Sequence, residues 1–326
     1  MAPSDRLLFR TLSRAVLSTC VLGVAVAALV AGCATGGAGQ ASMAPKRILL
    51  IAGRPSHPPG MHEFRAGTLL LQKSLAGHPG VTVEVYSNGW PTKVEGSNRV
   101  DDNSVFEGAA AVVIYADGGG GHPAIKPDRL KLIDGLAAKG VGLGFAHFGV
   151  EVPAGEPGAA MQRWIGGHYE HQFSVNPMWS PSYEKFPVHP ITRGVKPFSD
   201  RDEWYFNMRW VPDEAAQKRI TPILVATPSD AVRKGPYVYP PGPYPHIVAA
   251  SGRQETMMWA FERPDGGRGF GFTGGHTHAN WGVPSQRKAL LNALLWIAKV
   301  EVPAGGVESA VTEDDLKQDL DPKGKR

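Results

Sequence analysis

Cysteine is almost absent from this sequence, which contains only Cys20 and Cys33 among its 326 residues. Both stand near the N-terminus, so the chain after Cys33 cannot contain a disulfide, a thiolate metal site or a cysteine nucleophile. Any catalysis in that part of the chain would depend on other side chains. Its histidines are the first candidates, because imidazole changes protonation state near neutral pH.

An excess of charge of one sign is also lacking, since 34 basic residues stand against 30 acidic ones. Without residues 1–32 the chain still has 31 basic and 29 acidic residues. Because no basic stripe is present either, we expect no nucleic-acid partner. The sequence has no internal repeat. Its hydrophobic fraction of 42% is sufficient for a packed core, and its 40 glycines and 28 prolines predict long, ordered loops.

Long hydrophobic runs are limited to one near the N-terminus, over residues 15–30, which follows three arginines. A basic start, a short apolar stretch and small residues before Cys33 predict a secretory signal peptide over residues 1–32. The segment that ends at Cys33 resembles a lipobox, in which the cysteine is acylated and becomes the first mature residue. The alternative is an uncleaved transmembrane helix, although the run is shorter than the roughly 20 residues that span a bilayer.

Residues 33–45 are rich in glycine, alanine and serine, which predicts a flexible tether. No aspartate follows Cys33, and similarity to Gram-negative lipoproteins then implies the outer membrane. We therefore expect a cell-envelope protein that is held at the membrane by a lipid on Cys33 and faces the periplasm.

Strand and helix patterns alternate along the remaining chain. Short apolar or β-branched runs predict strands, and stretches with helical periodicity predict helices. The strands are expected at residues 46–52, 81–86, 109–116, 141–146, 223–226, 247–250, 256–262 and 269–273, and the helices at residues 62–75, 127–139 and 284–300. This alternation predicts an α/β domain over residues 46–302, with a mostly parallel sheet between helices. Residues 164–200 are predicted to be rich in loops, and residues 303–326 to form a loose polar tail.

Polar and aromatic side chains follow several of the predicted strands. In an open parallel sheet, ligands bind beyond the carboxyl ends of the strands. The candidates in these positions are His57, His62, Glu63, His147, Glu151, His276, His278, Asn280 and Trp281. We predict that these side chains meet at one edge of the sheet.

His147 directly follows a predicted strand, at the position where other α/β enzymes expose a nucleophile. We predict that its imidazole is a catalytic acid or base, and that Glu151 orients it across one helical turn. The alternative is that His147 only caps the strand and that Glu151 is a surface charge.

His276 and His278 lie two residues apart, so an extended backbone would point both side chains to the same side. This spacing predicts catalytic residues that polarise a substrate or bind a divalent ion such as zinc. The third ligand would come from His147, His57 or a glutamate. Residues 118–121 are all glycine and are interpreted as a turn rather than a phosphate loop, because no P-loop lysine follows.

Asp202-Glu203-Trp204-Tyr205 places two carboxylates beside two aromatic rings. Carboxylates accept hydrogen bonds from hydroxyl groups and aromatic rings stack on sugars, so the motif predicts carbohydrate binding. The alternative is two solvated acids at the start of an element. The predicted substrate-binding residues are His57, His62, Glu63, Glu203, Tyr205, Asn280 and Trp281.

Several of these motifs together resemble the ThuA-like (trehalose utilisation) family. They include Gly53-Arg54-Pro55-Ser56-His57, His147-Phe148-Gly149-Val150-Glu151, His189-Pro190-Ile191-Thr192-Arg193-Gly194 and Gly274-Gly275-His276, and they occur in family order over roughly residues 46–302. The resemblance implies a flavodoxin-like three-layer α/β/α sandwich of the class I glutamine amidotransferase-like type. It also implies a role in disaccharide metabolism, with 3-keto sugars supplied by a partner sugar dehydrogenase.

True glutamine amidotransferases carry a cysteine near the position of His147, and a carboxylate two residues after their catalytic histidine. This sequence has neither, because no acidic residue stands two positions after His276 or His278. It therefore predicts a sugar-modifying enzyme of isomerase, lyase or hydrolase type, and not a glutamine amidotransferase. Two alternatives stay open, namely a non-catalytic sugar-binding lipoprotein that presents a ligand to partner enzymes, and a structural module of the cell envelope.

Overall fold

The computed structural model describes residues 44–323. The predicted signal peptide over residues 1–32, the lipid-attachment residue Cys33 and most of the predicted tether lie outside the described residues. Among the helices of the described part, none combines the length and the apolar character needed to cross a membrane.

A seven-stranded sheet forms the centre of the molecule. Its strands are β1 (Lys46–Ala52), β2 (Val81–Tyr86), β3 (Ala111–Tyr115), β4 (Gly142–Ala146), β5 (Ile220–Ala226), β6 (Glu255–Glu262) and β7 (Arg268–Phe272). They lie in the order β5-β6-β7-β4-β3-β1-β2. All neighbours from β7 to β2 pair in parallel, whereas β6 is antiparallel to both β5 and β7. The predicted mostly parallel sheet is confirmed.

Four longer helices cover the two faces of this sheet, namely α1 (Phe64–Leu75), α2 (Pro127–Ala138), α3 (Glu156–Ile165) and α4 (Pro284–Ile297). Helices α1 and α4 share one apolar core with Ile48 and Leu50 of β1. Helices α2 and α3 share the other with Leu49 and Ile51. Successive residues of a strand point to opposite faces, so β1 is apolar from Ile48 to Ala52 because both of its faces are buried there. The molecule is thus a three-layer α/β/α sandwich.

Shorter elements form the connections. They are the hairpin Thr92–Glu95 with Asn98–Asp101, the two-residue strand pairs Gly167–His168 with Arg209–Trp210, Met178–Trp179 with Asp202–Glu203 and Ser182–Tyr183 with Phe198–Ser199, the short α-helices Glu214–Gln217, Asp230–Lys234 and Pro245–Val248, and the 3-10 helices Asn103–Phe106, Gly119–Gly121, His147–Val150, Pro190–Thr192, His278–Gly282 and Asp315–Lys317. Between residues 166 and 200 the chain contains only such short pieces, as predicted.

Two parts of the secondary structure differ from the sequence prediction. The strand predicted at residues 247–250 is wrong, because Pro245–Val248 is a short helix with proline in its first turn. Proline suits that position, since its missing N–H would have no helical partner there. Helix α3 was not predicted, because the glycine and proline near its start resemble a loop. The structure uses Gly155 as the N-cap of α3 instead.

The C-terminal segment at residues 303–323, which we call the C-terminal strap, is packed against the domain and is not a loose tail. Val307 is buried. The backbone N–H of Asp321 donates a 2.7 Å hydrogen bond to Oε2 of Glu63. The Lys323 ammonium lies 3.2 Å from Oε1 of the same carboxylate. The polar composition of the strap predicted exposure, but its charges pair with groups of the domain that composition does not reveal.

Candidate functional site

Four buried side chains meet beyond the carboxyl ends of the parallel strands. We call His62, His147, Glu203 and His276 the histidine–glutamate cluster. Nε2 of His62 lies 2.9 Å from Nδ1 of His276 and 3.0 Å from Nε2 of His147. Oε2 of Glu203 lies 2.6 Å from Nδ1 of His276 and 3.6 Å from Nε2 of His147. The predicted convergence of strand-end histidines is therefore present for these three.

Each cluster residue is supplied by a different part of the fold. His147 directly follows β4, and His276 lies four residues after β7. His62 comes from the loop after β1, where its backbone N–H donates to the carbonyl of His276 at 2.9 Å. Glu203 belongs to the short strand Asp202–Glu203, which pairs with Met178–Trp179. Because β1, β4 and β7 run in parallel, their carboxyl ends lie at one edge of the sheet.

The imidazole of His147 is oriented by a backbone carbonyl. Its Nδ1 lies 2.9 Å from the carbonyl oxygen of Thr273. A carbonyl only accepts hydrogen bonds, so we assign the proton of neutral His147 to Nδ1 and a lone pair to Nε2. The Tyr205 hydroxyl lies 3.2 Å from this Nε2 and is placed to donate to it. The lone pair of His147 thus points into the cluster.

His62 lacks a comparable hydrogen bond, since its buried Nδ1 has no partner within hydrogen-bond distance among the described residues. Its Nδ1 lies 3.6 Å from Oδ1 of Asp117, on the side away from the cluster. Burial, followed by the neighbouring imidazoles of His147 and His57, lowers the pKa of His62 strongly. The ring is therefore neutral at physiological pH, and its Nε2 faces His147 and His276.

Glu203 supplies the negative charge of the cluster. Burial by itself would raise the pKa of Glu203, but its contacts with His147 and His276 outweigh burial and lower the pKa below the ordinary value. The side-chain amide of Asn176 also donates a 2.8 Å hydrogen bond to Oε1 of Glu203. Glu203 is therefore an ionised carboxylate with one oxygen free to face the histidines.

The cluster fits a divalent metal ion. Its three imidazole nitrogens and one carboxylate oxygen all lie within 4.8 Å of one another. Nε2 of His62 has two nitrogen neighbours and at most one proton to share with them, so hydrogen bonding cannot satisfy all of these contacts well. Zinc bound by imidazole and carboxylate at about 2.0–2.2 Å would satisfy them together. The Thr273 carbonyl is the outer partner that orients His147, and the Asp117 carboxylate lies 3.6 Å behind His62, where a second outer partner would be expected.

His278 does not join His276, contrary to the predicted pair. The backbone is not extended through both residues, because His278 begins the 3-10 helix His278–Gly282. Its buried imidazole lies outside the group of side chains that could hold a metal, and burial lowers its pKa. The ligands expected from His276 and His278 are instead His276, His62 and His147 with Glu203.

Glu151 does not pair with His147. In residues 44–323 neither a hydrogen bond nor an ion pair joins them, and the carboxylate near His147 is that of Glu203. The segment His147–Val150 is a 3-10 helix, in which residues four apart no longer stack. Burial and the nearby charge of Glu203 nevertheless raise the pKa of Glu151 to about 7. A carboxyl group with that pKa is suited to proton transfer near neutral pH.

Two further predicted residues lie at the cluster. The exposed imidazole of His57 stacks on His62 with 3.7 Å between the ring centroids, and its Nδ1 lies 3.7 Å from Asp117. The Tyr205 hydroxyl contacts His147 as described above. His57 is therefore the one histidine of the site that solvent reaches readily.

Three predicted substrate-binding residues lie elsewhere. Glu63 accepts hydrogen bonds from the backbone N–H groups of Gly60 and Asp321, both at 2.7 Å, so it holds loops together. The side chain of Asn280 donates to the carbonyl of Arg201. Trp281 is fully buried and unavailable to a ligand. At these positions, the expectation that residues beyond the strand ends bind the ligand is wrong. These side chains hold neighbouring loops together or pack in the core.

Two aspartates were not among the predicted site residues. Asp117 lies two residues after β3 and 3.6 Å from His62, so a search of all polar residues just beyond the strand ends would have found it. Asp202 accepts hydrogen bonds from the N–H groups of Gly275 and Thr277, at 2.8 and 2.9 Å, and so positions His276 between them. No local sequence signal indicates this contact, because it joins residues more than 70 positions apart.

Comparisons with known proteins agree with this fold. The model of the trehalose utilisation family ThuA matches residues 86–297. A ThuA-like protein from Bacteroides uniformis is 14% identical in sequence and superposes with a TM-score of 0.54, covering 78% of this chain and 92% of its own. A glutamine amidotransferase from Thermotoga maritima is 10% identical, with a TM-score of 0.41, and covers 78% and 98% of the two chains. Among curated proteins, no relative matches the sequence.

Proposed function

Because the chain belongs to the trehalose utilisation family ThuA, we propose that it is a carbohydrate-modifying enzyme that acts on a ketodisaccharide at the histidine–glutamate cluster. The observation that carries the proposal is the convergence of three imidazole nitrogens and one ionised carboxylate in a buried site. A structural protein or a passive sugar-binding module does not need such a set of metal-ligand atoms, whereas a metal-assisted enzyme does.

The cluster would hold a divalent ion through His62, His147, His276 and Glu203. When bound, such an ion polarises a carbonyl or hydroxyl oxygen of the sugar. Thr273 keeps the imidazole of His147 in the orientation that presents its Nε2 lone pair to the cluster, and Asp117 lies 3.6 Å from the outer nitrogen of His62. The role of His147 as a free base is thereby replaced by a role as a ligand.

Proton transfer would fall to the carboxyl groups beside the cluster. Asp117 is partly exposed, and burial raises its pKa although a hydrogen bond from Ser56 opposes the shift. In this position it would remove the proton on the carbon next to the ketone. Glu151, with a pKa of about 7, would hold or return a proton at neutral pH. Proton removal next to a carbonyl begins either isomerisation or elimination.

Glutamine hydrolysis is not part of the proposal. Amidotransferase chemistry needs a thiolate nucleophile, and the described residues contain no cysteine. His147 directly follows β4 and is already bonded on both ring nitrogens.

Metal content and turnover test the proposed function together. We expect the purified full chain to contain about one equivalent of a divalent metal by mass spectrometry, and to convert a 3-keto-disaccharide. The variants Glu203→Gln and His62→Gln should lower metal content and turnover at least about tenfold. The matched control Glu262→Gln changes an exposed glutamate of β6 and should leave both unchanged.

If the protein contains no metal and its turnover is unchanged by chelators, the metal part of this proposal is overturned. Tight sugar binding without any product by mass spectrometry would overturn the enzymatic part. That second result would favour a sugar-binding lipoprotein instead.

We further propose that the mature protein begins at Cys33, carries lipid there and faces the periplasm, attached to the outer membrane. The sequence pattern at residues 15–33 supports this location. A sugar dehydrogenase in the same compartment would supply the ketone.

A further inference from the structure

A cavity of about 370 Å³ opens next to the histidine–glutamate cluster. Residues that follow β1 (Gly53 and Arg54) and residues that follow β3 (Ala116 and Asp117) form part of its lining. The chain runs from β1 to β2 in one direction across the sheet and from the neighbouring strand β3 to β4 in the other. Such a switch point creates a crevice at the carboxyl edge of an α/β sheet, where small ligands bind.

Asp117 connects this cavity to the cluster. Its carboxylate lines the cavity, and its Oδ1 lies 3.6 Å from Nδ1 of His62. The same oxygen accepts a 2.7 Å hydrogen bond from the Ser56 hydroxyl. A molecule in the cavity would therefore be separated from His62 only by the side chain of Asp117.

The cavity carries cations that the protein itself does not neutralise. Arg54 and Lys126 both line it, and within residues 44–323 neither forms an ion pair. The nearest polar contact of Arg54 is the carbonyl of Asn88, 3.4 Å from its Nε. These two unpaired cations outnumber the one carboxylate of the lining, that of Asp117, and so favour an anionic ligand group near Arg54 and Lys126.

On the inner wall of the cavity, the charge of Arg129 is already neutralised by Asp101. The guanidinium of Arg129 makes two 2.7 Å hydrogen bonds to Asp101 and lies 4.9 Å from the ring centroid of Trp90. Arg129 is buried, so it fixes the indole of Trp90 as part of the wall. Because Phe106 also packs on Trp90, with 4.9 Å between the ring centroids, and the indole is only 5% exposed, Trp90 offers a sugar ring an apolar edge and not a stacking face.

Glycines leave one side of the cavity open. A Cβ at Gly118 would collide with the carbonyl of Phe148, so packing explains that glycine. A Cβ at Gly120 or Gly121 would meet no atom within 4 Å, so packing does not explain these two. Their bare backbone lines the cavity and lets a ligand approach closely.

We propose that this cavity binds the non-reacting part of the sugar substrate, and that this part carries a phosphate or carboxylate group. Arg54 and Lys126 would pair with the anion, Trp90 would contact the sugar ring, and Asp117 would separate this ring from the reacting one. The inference rests on the proposed function, because it assigns a substrate class to the same site.

Calorimetry with glucose 6-phosphate, glucuronate and glucose tests this proposal. The full chain should bind at least one of the two anionic sugars about tenfold or more tightly than glucose. The double variant Arg54→Gln/Lys126→Met should lose that preference and keep its affinity for glucose. The control Lys131→Met removes an exposed charge from helix α2 outside the cavity and should bind as the unmodified chain does.

Equal affinity for glucose and both anionic sugars would overturn the proposal, and so would an unchanged preference in the double variant. Equal affinity for inorganic phosphate and glucose 6-phosphate would also overturn it, because the sugar would then contribute nothing. Metal content and turnover of a neutral ketodisaccharide report separately on the proposed function. If only the anion site is wrong, metal content and turnover of the neutral ketodisaccharide will still be as proposed. If the histidine–glutamate cluster is not the active site, metal and turnover will be absent, but the preference for anionic sugars will remain.

Discussion

His147 occupies a backbone conformation that few residues other than glycine adopt, with φ at 50°. His57 and His62 lie in the same left-handed region, at 59° and 48°. Holding a non-glycine residue there costs on the order of 1 kcal/mol. Three such residues at one site indicate that the backbone is strained there in order to place the imidazoles. The rest of the fold offsets the cost in stability.

Glu151 should make the stability of the protein depend on pH. Its pKa is raised from 4.5 to about 7, so the folded state binds more protons than the unfolded state between these values. Stability contributed by this group is therefore lost as pH rises from about 4.5 to about 7. Above pH 7 we expect Glu151→Gln to raise the free energy of unfolding by roughly 2 kcal/mol. Urea unfolding at a series of pH values measures this effect.

The difference between variant and parent isolates Glu151 from other groups. Burial lowers the pKa of His122 and His168 to about 4, which adds an opposite slope between about pH 4 and 6.5 in both proteins. Burial and the charge of Asp202 raise the pKa of Asp200 to about 7, and that contribution also stays in both. A Glu151→Gln difference that does not change with pH would refute the assignment.

The sequence allowed prediction of individual site residues only where a strand end positions them. His147 and His276 follow β4 and β7 closely, so their convergence was predictable from the topology of a parallel sheet. The choice between His276 and His278 depended on where a 3-10 helix begins, which the spacing does not show. The choice between Glu63 and Glu203 depended on long-range contacts, and only Glu203 reaches the histidines.

At the scale of elements, the C-terminal strap holds the loop that carries His62. The Lys323 ammonium contacts the carbonyl oxygens of Met61 and His62 as well as the carboxylate of Glu63. The side chains of Lys323 and Glu63 are almost fully buried, at 5% and 1% exposure. Removing one partner of a buried ion pair leaves the other charge without compensation, which is strongly destabilising.

We expect Lys323→Met to lower the free energy of unfolding by about 3 kcal/mol and to weaken metal binding at His62. Chemical denaturation and metal titration measure the two effects. The exposed pair of Lys317 with Asp314 offers a matched control, and Lys317→Met should cost less than about 0.5 kcal/mol. The double variant Lys323→Met/Glu63→Gln should recover part of the loss. Equal stability of Lys323→Met and the control would show that the strap does not support the site.

Most of the sheet could be predicted from the sequence, because buried parallel strands are short apolar runs between helices and turns. Residues 247–250 have the same apolar character but follow a proline that starts a helix. Helix α3 and the strap escaped prediction for a related reason. Their local composition resembles loop or solvent-exposed chain, and only contacts with distant residues determine their structure.

At the scale of the whole molecule, the proposed location is tested by labelling. Cells grown with radioactive palmitate should label the full chain, and Cys33→Ser should lose the label and leave the membrane fraction. A variant of an exposed residue far from Cys33, such as Lys131→Met, serves as the control and should stay labelled. Unmodified protein that is unlabelled and recovered in the soluble fraction would contradict the location.

The family and the flavodoxin-like fold were the most predictable features of the whole molecule. The motifs that carry the resemblance include His147 and His276, and the structure places both in the cluster. Histidine thus directly follows β4, the position at which the resemblance to amidotransferases implies a nucleophile. Since fold does not determine function, the proposed chemistry rests on the side chains at the carboxyl edge.

The position of the strap in the chain also bears on how the site forms during synthesis. Lys323 follows β7 and α4 in sequence, so a ribosome completes every strand and long helix before it adds this lysine. The central sheet and its two apolar cores can form while the loop that carries His62 still lacks its anchor. Formation of the sheet and the final anchoring of that loop are therefore separate steps, and the second depends on the last residues to be translated among those described.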